Sequence, residues 1–430
     1  MMLTKRLISL GVVLSLLQLG LMAQPMASLE LTEAYRLVKH NYPLADNAPL
    51  IEQASALNQE IINKNRLPTL SANAEARIQS ENVALMSGDP NGLNFEVPLE
   101  SYKVYLGFDY KLYDGGMSAA QRQIEEASLQ VNQKSLEVNL RSLKDRVNQL
   151  FFGILLARQQ QTLLKTSMES INTNIEILQA GCDNGTVLQS EVSKLKVRAL
   201  ELSSDGARLI GDLKAYTSVL GELLGTPISP DVQLTLPVTM ATSLSGNTPL
   251  SRPELDLYEQ QSVLINAQKG MVDASRKPVM SLFAQGGIGY PNPLNFVDIN
   301  SSTYALGGVR MGWNITDWNK SKREKEKLHV QHSQNQRSKE TFVHDITSRD
   351  GEFQEKIEAL NEQLKNDLRI VDLQKEILEQ TEVQLTNGVI NTNDYLLQVN
   401  AELSARQQYE LHTVQLKQLQ INYLTLIGLL

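Results

Sequence analysis

The side chains best suited to chemistry are few and form no recognisable catalytic pattern. His329 and His332 are three positions apart on a predicted helix, a spacing that suits two metal ligands. Because no carboxylate or cysteine is arranged around them, we interpret them as surface histidines. Cys182 is the one cysteine of the chain and has no evident base beside it, which argues against a catalytic thiol. The sequence therefore predicts no catalytic residue, no metal site and no cofactor.

Charge excludes one class of partner. The 430-residue chain has a net charge of −8, so a nucleic-acid partner is not expected. The run from Lys320 to Lys327 mixes basic side chains with Glu324 and Glu326. Such a mixture is typical of a solvated helix face, and just beneath a membrane it would also suit contact with anionic lipid head groups.

The first residues have the pattern of a targeting segment. Lys5 and Arg6 precede an apolar run from Leu7 to Met22, and Ala23 offers a small residue for cleavage. We expect residues 1–23 to be a signal peptide and the mature chain to be exported. The apolar run is short for a membrane span, so no transmembrane helix is expected in the mature protein.

The rest of the sequence contains the same order of helices and strands twice. Landmark residues recur at an offset of 210 positions early in each copy and 203 positions later, so the first copy has seven more residues between about Ser80 and Ser101. We predict a first repeat at 24–225, a crossover segment at 226–250 and a second repeat at 251–430. The matching pairs are Pro43 and Pro253, Pro68 and Pro278, Asp114 and Asp317, Gly185 and Gly388, and Gly225 and Gly428.

Each repeat contains two segments with the periodicity of strands, predicted at about 68–80 and 101–113 and at about 279–290 and 303–316. Each alternates an apolar face with a polar face, and the polar face of the second segment carries charges such as Lys103. A half-buried sheet of a soluble domain is one interpretation. The length of about ten residues suits a bilayer crossing, and a charged face suits a water-filled lumen better than a dry core. Aromatic residues cluster at the strand ends, as at membrane interfaces: Tyr102, Tyr110, Tyr113, Tyr290, Tyr304, Trp313 and Trp318.

Four strands are too few to close a barrel. An open sheet edge leaves backbone N–H and C=O groups unsatisfied in lipid, so several chains must pool their strands. The smallest barrels need about eight strands, and three chains would supply twelve. The strand pattern therefore predicts an oligomer if the strands are in a membrane.

Two very long helices follow the strand pairs. Residues 116–184 and 318–387 contain no proline, and each would form a helix about 100 Å long. Asn-Gly then predicts a tight turn in both repeats, followed by a returning helix of about 40 residues. We predict a mixed α and β membrane protein with antiparallel helix packing, as in a coiled-coil wall.

At this point the chain resembles the TolC family of outer-membrane efflux and secretion channels. The resemblance covers nearly the whole mature chain and rests on several short motifs in a fixed order. Besides the two turn sequences, these are Leu-Thr-Glu-Ala (31–34), Leu-Pro-Thr-Leu (67–70), Tyr-Asp-Gly-Gly (113–116), Arg-Pro-Glu-Leu (252–255) and Leu-Ile-Gly (426–428). Each motif is weak alone, and their duplicated spacing makes the set specific.

The resemblance implies a homotrimer with a 12-stranded barrel among the lipids of the outer membrane, continued by a helical barrel in the periplasm of a Gram-negative bacterium. It implies no catalysis. Such a channel is the exit duct of a tripartite efflux pump and conducts small molecules passively. Its partners would be a periplasmic adaptor protein and an inner-membrane pump of the RND or ABC type.

The resemblance also implies a docking site for the adaptor at the two turns. The alternative is that these residues only reverse the chain, and both roles are compatible. The turn residues are Asn184, Gly185, Thr186, Val187 and Leu188 in the first repeat, and Asn387, Gly388, Val389 and Ile390 in the second.

Asp394 matches a family aspartate that rings the periplasmic entrance. Three carboxylates near one axis would repel one another and attract cations, whereas the simpler interpretation is a contact with the helix dipole. The chain departs from the family pattern at Leu397, where an acidic residue is usual, and at Ile390, where an arginine is usual. The sequence therefore does not establish which residues would close the entrance or whether they would bind a cation. Glu191 occupies the equivalent place in the first repeat.

Several rival functions remain at this stage. A type I protein-secretion duct or a heavy-metal efflux duct would have the same fold. An exported coiled-coil adhesin would have continuous heptads without amphipathic strands, and an exported hydrolase would need a catalytic group that the sequence lacks. The sequence identifies neither the substrate nor the pump.

Overall fold

The computed structural model describes residues 26–81, 84–85, 95–237, 250–295 and 298–430. The predicted signal peptide and residues 238–249 of the predicted crossover lie outside these ranges. Within the described ranges, no helix combines the length and the apolarity needed to cross a bilayer.

Helices form most of the described chain. The two longest, α3 and α6, have 67 residues each and contain no proline, so their backbone hydrogen bonds continue without a break. The first hairpin is defined as α3, α4 and their turn, and the second hairpin as α6, α7 and their turn. In chain order the helices are α1 (Leu31–Asn41), a 3-10 helix (Pro43–Asp46), α2 (Asn47–Lys64), α3 (Met117–Asp183), α4 (Gln189–Leu224), α5 (Pro253–Ala274), α6 (Lys320–Thr386) and α7 (Thr392–Ile427).

The strands form one four-stranded sheet and two small pairs. The sheet is antiparallel and has the order β2-β5-β7-β8, while β1 pairs in parallel with β6 and β3 pairs with β4. The fold is thus mixed α and β, as predicted, and the sheet stays open within one chain. The strands are β1 (Met26–Glu30), β2 (Thr69–Ile78), β3 (Ala84–Leu85), β4 (Phe95–Glu96), β5 (Glu100–Tyr113), β6 (Ile228–Thr235), β7 (Val279–Tyr290) and β8 (Ser302–Gly312).

The same local device begins the long helix of each repeat. The Asp114 carboxylate accepts hydrogen bonds from the backbone N–H groups of Gly116 and Ser118, at 2.9 and 2.8 Å. Asp317, 203 positions later, accepts from Asn319 and Ser321, both at 3.1 Å. These N–H groups have no partner inside the helix, so a carboxylate ahead of the first turn stabilises it.

The last strand is shorter than the predicted 303–316. β8 ends at Gly312 because its neighbour β7 begins at Val279, which already pairs with Gly312. The Trp313 indole N–H instead donates to the Arg276 carbonyl at 3.0 Å. The pair β1–β6 was not predicted, since the Pro, Ser and Thr content of 226–250 hides a short strand.

The described residues form two compact units, and each unit takes segments from both repeats. The first unit contains the described parts of Met1–Asn47, Leu136–Pro253 and Thr341–Leu430. The second contains those of Ala48–Ser135 and Glu254–Glu340, including the four-stranded sheet.

The main apolar core belongs to the first unit. Segments far apart in the sequence meet in this core, so its burial stabilises the start and the end of the chain together. Its most deeply buried members include Leu29, Leu31, Phe151, Phe152, Ile154, Leu195, Leu220, Tyr395 and Ile421.

Candidate functional site: the sheet faces and the hairpin tips

One face of the sheet is apolar across all four strands. Ala74, Val104 and Ile288 lie in register on this face, because side chains alternate along each strand. The face is open: Leu70 is 71% exposed and Val104 63%. A continuous exposed apolar surface is unusual for a soluble monomer and indicates that another apolar phase covers it.

The opposite face carries charges that pair with one another. Lys103 Nζ lies 2.8 Å from the Glu75 carboxylate, and Arg77 lies 2.7 Å from the same group. The Arg310 guanidinium lies over the Phe283 ring, 4.6 Å from its centroid. The two faces of one sheet therefore suit two different environments, one apolar and one aqueous.

Four of the predicted interfacial aromatics share the apolar face. Tyr102 and Tyr290 are cross-strand partners, and their rings stack with centroids 6.3 Å apart. Tyr110 lies on the same face, nearer the other end of β5. The register shifts between Lys111 and Tyr113, and this bulge turns the Tyr113 side chain onto the apolar face as well.

Tyr304 differs from the predicted interfacial position. It lies on the polar face of β8 and is 7% exposed. Its cross-strand partner is Gly287, which has no side chain to occupy the same space. Sequence position near a strand end does not specify the face, and here the register places the ring inward.

The two tryptophans follow the last strand of the sheet, and both are exposed. Trp318 is 94% exposed, and it adopts a positive φ of 52°. The equivalent residue in the first repeat is Gly115, with φ 71°. A side chain in this left-handed region costs about 1–2 kcal/mol, which glycine avoids.

The first hairpin tip comprises residues 184–188. Gly185 has a φ of 79°, as the turn requires, and the N–H of Thr186 donates to the Gly181 carbonyl at 2.9 Å. Val187 packs into the core, whereas Leu188 is 72% exposed. Leu188 is also the N-cap of α4 and supplies no capping hydrogen bond. Both properties of Leu188 are unfavourable for the isolated chain.

The second hairpin tip comprises residues 387–391. Gly388 has a φ of 72°, and the N–H of Val389 donates to the Gln384 carbonyl at 2.9 Å. Ile390 packs into the core, and Val389 is 71% exposed. The N-cap of α7 is Asn391, whose Oδ1 accepts from the N–H of Asn393 and Asp394. Each tip therefore tucks one apolar side chain inward and leaves one exposed.

Asp394 and Glu191 occupy equivalent positions with different contacts. Asp394 is exposed in the first turn of α7, where Asn391 already caps the backbone. Glu191 accepts from the Thr392 N–H at 3.2 Å and pairs with Lys194 at 2.9 Å. The contacts of Thr392, and then the ammonium of Lys194, hold the pKa of Glu191 below its usual value. Among the described residues, Asp394 is thus the carboxylate of the two that forms no ion pair.

A polar contact between the hairpins was not predicted. The Asn174 amide donates to Glu382 and to the Tyr395 hydroxyl, both at 2.8 Å. Asn174 and Tyr395 are fully buried. The sequence signal for this contact is weak, because Asn174 is one of five Asn residues in a 67-residue helix and its spacing does not distinguish it from a solvent-exposed position. Among the described residues, no group of three His, Cys, Asp or Glu side chains is placed to hold a metal ion.

Comparison with known proteins finds a family that the first repeat matches. The sequence profile described as "outer membrane efflux protein" matches residues 48–225, which is most of the first repeat. In the second repeat, α5, β7, β8, α6 and α7 recur in the order of α2, β2, β5, α3 and α4, at an offset of 210 positions at β2 and β7 and of 203 positions at the long helices. Over residues 48–225 the chain is similar to the outer membrane efflux proteins. The resemblance to the TolC family is confirmed, and no curated protein sequence matches the chain.

Solved channels of this family share the fold at low sequence identity. The outer membrane protein VceC of Vibrio cholerae is 12% identical, with a TM-score of 0.64 over 93% of this chain and 96% of that one. The Campylobacter jejuni channel CmeC is 15% identical, with a TM-score of 0.63 over 93% and 85%. The open-state Neisseria gonorrhoeae channel MtrE is 17% identical, with a TM-score of 0.61 over 93% and 88%.

The family match accounts for the two faces of the sheet. Proteins of the matched family are non-enzymatic channels that span the outer membrane and extend into the periplasm. The strands of such a channel meet lipid on one side and water on the other.

Proposed function

We propose that this protein is the exit duct of a tripartite pump and passively conducts small molecules to the exterior. The four-stranded sheet carries the proposal, since it has an exposed apolar face, a charged face and open edges at β2 and β8. Lipid offers no hydrogen-bond partner to the backbone N–H and C=O groups of an open edge, so another strand must pair with it. In a homotrimer, β8 of one chain would pair with β2 of the next and close twelve strands around an aqueous lumen.

The hairpin tips support a docking role for a periplasmic adaptor. Leu188 and Val389 are exposed apolar side chains on tight turns, and neither is required by the turn geometry. Burial of such side chains in a partner groove would stabilise the complex. The adaptor would connect the duct to an inner-membrane pump of the RND or ABC type.

Asp394 is the residue proposed to line the periplasmic entrance. Its carboxylate forms no ion pair among the described residues, so three copies near a common axis would attract cations. Glu191 offers the matched control, because it has the equivalent position and an internal partner in Lys194.

Planar-bilayer recording of the purified protein tests the duct. We expect a heat-sensitive trimer in detergent and discrete conductance steps. Asp394→Asn should weaken block by divalent cations, whereas Glu191→Gln should leave the block unchanged. A soluble monomer without conductance would contradict the channel and favour the adhesin.

Docking is tested separately in cells. Leu188→Asp and Val389→Asp should abolish export-dependent resistance while bilayer conductance stays normal. Equal resistance in the variants and the parent would remove the tips from the adaptor interface. If the parent confers resistance to metal ions rather than to small organic compounds, the heavy-metal duct is favoured. If the tip variants instead lose secretion of a protein, the protein-secretion duct is favoured.

A further inference from the structure

The polar face of the four-stranded sheet has more basic than acidic side chains. The strand register places six charged residues of the described strands on this face, four basic and two acidic, so its net charge is +2. These residues are Glu75, Arg77, Lys103, Asp109, Lys111 and Arg310. The whole chain has a net charge of −8. The sign of this face is therefore opposite to that of the protein.

Three of the six charges form one cluster at the end of β2. The Glu75 carboxylate lies 2.8 Å from Lys103 Nζ and 2.7 Å from the Arg77 guanidinium. One carboxylate thus pairs with two cations, and it neutralises only one of them. This end of the polar face therefore keeps one positive charge.

Lys111 and Arg310 lie at the other end of the sheet, on one cross-strand row. Both are register partners of Ser281, one on β5 and the other on β8. Neighbouring strands are about 4.8 Å apart, so the two backbones are separated by about 10 Å. Both side chains are exposed, and neither forms an ion pair within the described ranges. The contact of Arg310 with the Phe283 ring, 4.6 Å from its centroid, leaves the charge of the guanidinium intact.

Asp109 occupies the adjacent row of the same face. It lies two positions before Lys111 on β5, so this end also has one carboxylate against two cations. In a closed barrel, β2 of the next chain would bring Thr69 and Ser71 to this end, and both are uncharged. Glu75 lies about 20 Å farther along that strand. Barrel closure would therefore leave the positive excess in place.

A positive lumen attracts anions. Rings of Arg and Lys line pores for anions and phosphates, whereas rings of Asp and Glu line pores for cations. A unit charge about 10 Å away in water raises the local concentration of a monovalent anion about twofold before screening. Several such charges around one lumen act together, and the low-dielectric wall focuses their field.

We infer that the barrel part of the duct selects small organic anions, and that Lys111 and Arg310 are the residues that attract them. Three chains would place six of these exposed cations around the lumen. The inference rests on the proposed function, because the polar face lines a lumen only in a closed barrel. It narrows the substrate class to compounds such as carboxylates, sulfonates and phosphate esters, and it disfavours metal cations.

Reversal potentials across planar bilayers test this selectivity. Full-length protein with Asp394→Asn is the background, because the carboxylate proposed for the entrance would favour cations and oppose the barrel. In a potassium chloride gradient around 0.1 M, where the screening length is about 10 Å, chloride should permeate about threefold better than potassium. The preference should shrink at about 1 M salt, where that length is about 3 Å. Methanesulfonate should likewise permeate better than methylammonium, an ion of similar size.

Double variants at the two positions assign the preference to these side chains. Lys111→Gln with Arg310→Gln leaves no net charge on the polar face and should abolish the preference. Lys111→Glu with Arg310→Glu should reverse it in favour of potassium. Lys111→Arg with Arg310→Lys is the matched control, since it keeps both charges and should keep the preference. A heat-sensitive trimer in detergent shows that each variant has folded.

The outcomes separate this inference from the duct itself. Conductance without an anion preference in the background protein would overturn the selectivity and leave the duct in place. The same preference in the glutamine variant would overturn the roles of Lys111 and Arg310. Absence of conductance from the background and the parent alike would overturn both proposals.

Discussion

The two hairpins have the same backbone plan and different interiors. In the first, Phe151 and Phe152 are buried in the main core. The equivalent residues of the second hairpin are Gln354 and Glu355, and both are exposed. The difference teaches that the duplicated halves have divided their tasks. The first hairpin supplies most of the apolar side chains of the main core, whereas the second has polar residues at several of the matching positions.

Along α7, polar residues also occupy positions that are apolar in α4. Glu402 is buried and lies at the position of Ala199, and His412 lies at the position of Leu209. Buried polar groups stabilise a fold only when their partners stay in place. We therefore expect the second hairpin to be the half that rearranges if the duct opens.

The largest expected effect tests the division of packing. Phe151→Ala leaves a cavity in the core and should cost about 3–5 kcal/mol of unfolding free energy. Gln354→Ala, the matched change in the second hairpin, should stay within about 0.5 kcal/mol. Denaturant unfolding in detergent, followed by circular dichroism, measures both. Equal losses would show that the interiors are energetically alike.

A second comparison concerns the turn from sheet to long helix. Trp318→Gly removes the strain of a positive φ and should stabilise the chain by about 1 kcal/mol. The same change should weaken insertion into liposomes if the indole anchors the chain at the interface. Gly115→Ala is the matched control and should destabilise, because its new Cβ would lie 2.9 Å from the Ala274 carbonyl oxygen. Unchanged insertion of the Trp318 variant would contradict the anchoring role.

The caps of the returning helices give an effect of similar or smaller size. Leu188→Asn should stabilise the first hairpin by about 1 kcal/mol, and Asn391→Leu should destabilise the second by about the same amount. Thermal unfolding of the two variants measures these two opposite changes in stability. If Leu188→Asn is neutral and docking persists, neither stability nor function explains the exposed leucine.

The smallest effect is the acid response at Glu191. Because its pKa is lowered in the folded chain, its contact with Thr392 is fully present at neutral pH. The contact is lost as the pH falls through that lowered pKa, which should loosen the start of α7. Glu191→Gln should remove this acid response in hydrogen exchange of residues 386–396, whereas Asp394→Asn should not. An identical acid response in all three proteins would show that Glu191 does not link the tips.

Local patterns predicted much of this molecule. Alternation located the strands of the sheet, and the absence of proline predicted the two long helices. Asn-Gly placed both tight turns, because glycine is needed where φ is positive. These signals lie within a few residues of one another, so the sequence reveals them directly.

Non-local contacts were harder to predict. The glycines of β7 weakened its strand pattern, yet Gly287 is needed because a Cβ there would meet the Tyr105 side chain at 2.6 Å. The inward position of Tyr304 depends on the same register. The pairs Asn174–Tyr395 and Asp367–His412 join positions on different helices, and no short motif records such a pairing. Whether Asp394 rings an entrance depends on neighbouring chains.

The core of the first unit sets a condition on how the protein is made. Leu29 and Leu31, close to the start of the chain, share that core with Ile421, close to its end. A nascent chain cannot complete this core until nearly all of it has been synthesised. Any C-terminal truncation that removes α7 should therefore leave the core incomplete and expose the N-terminal segment to proteases.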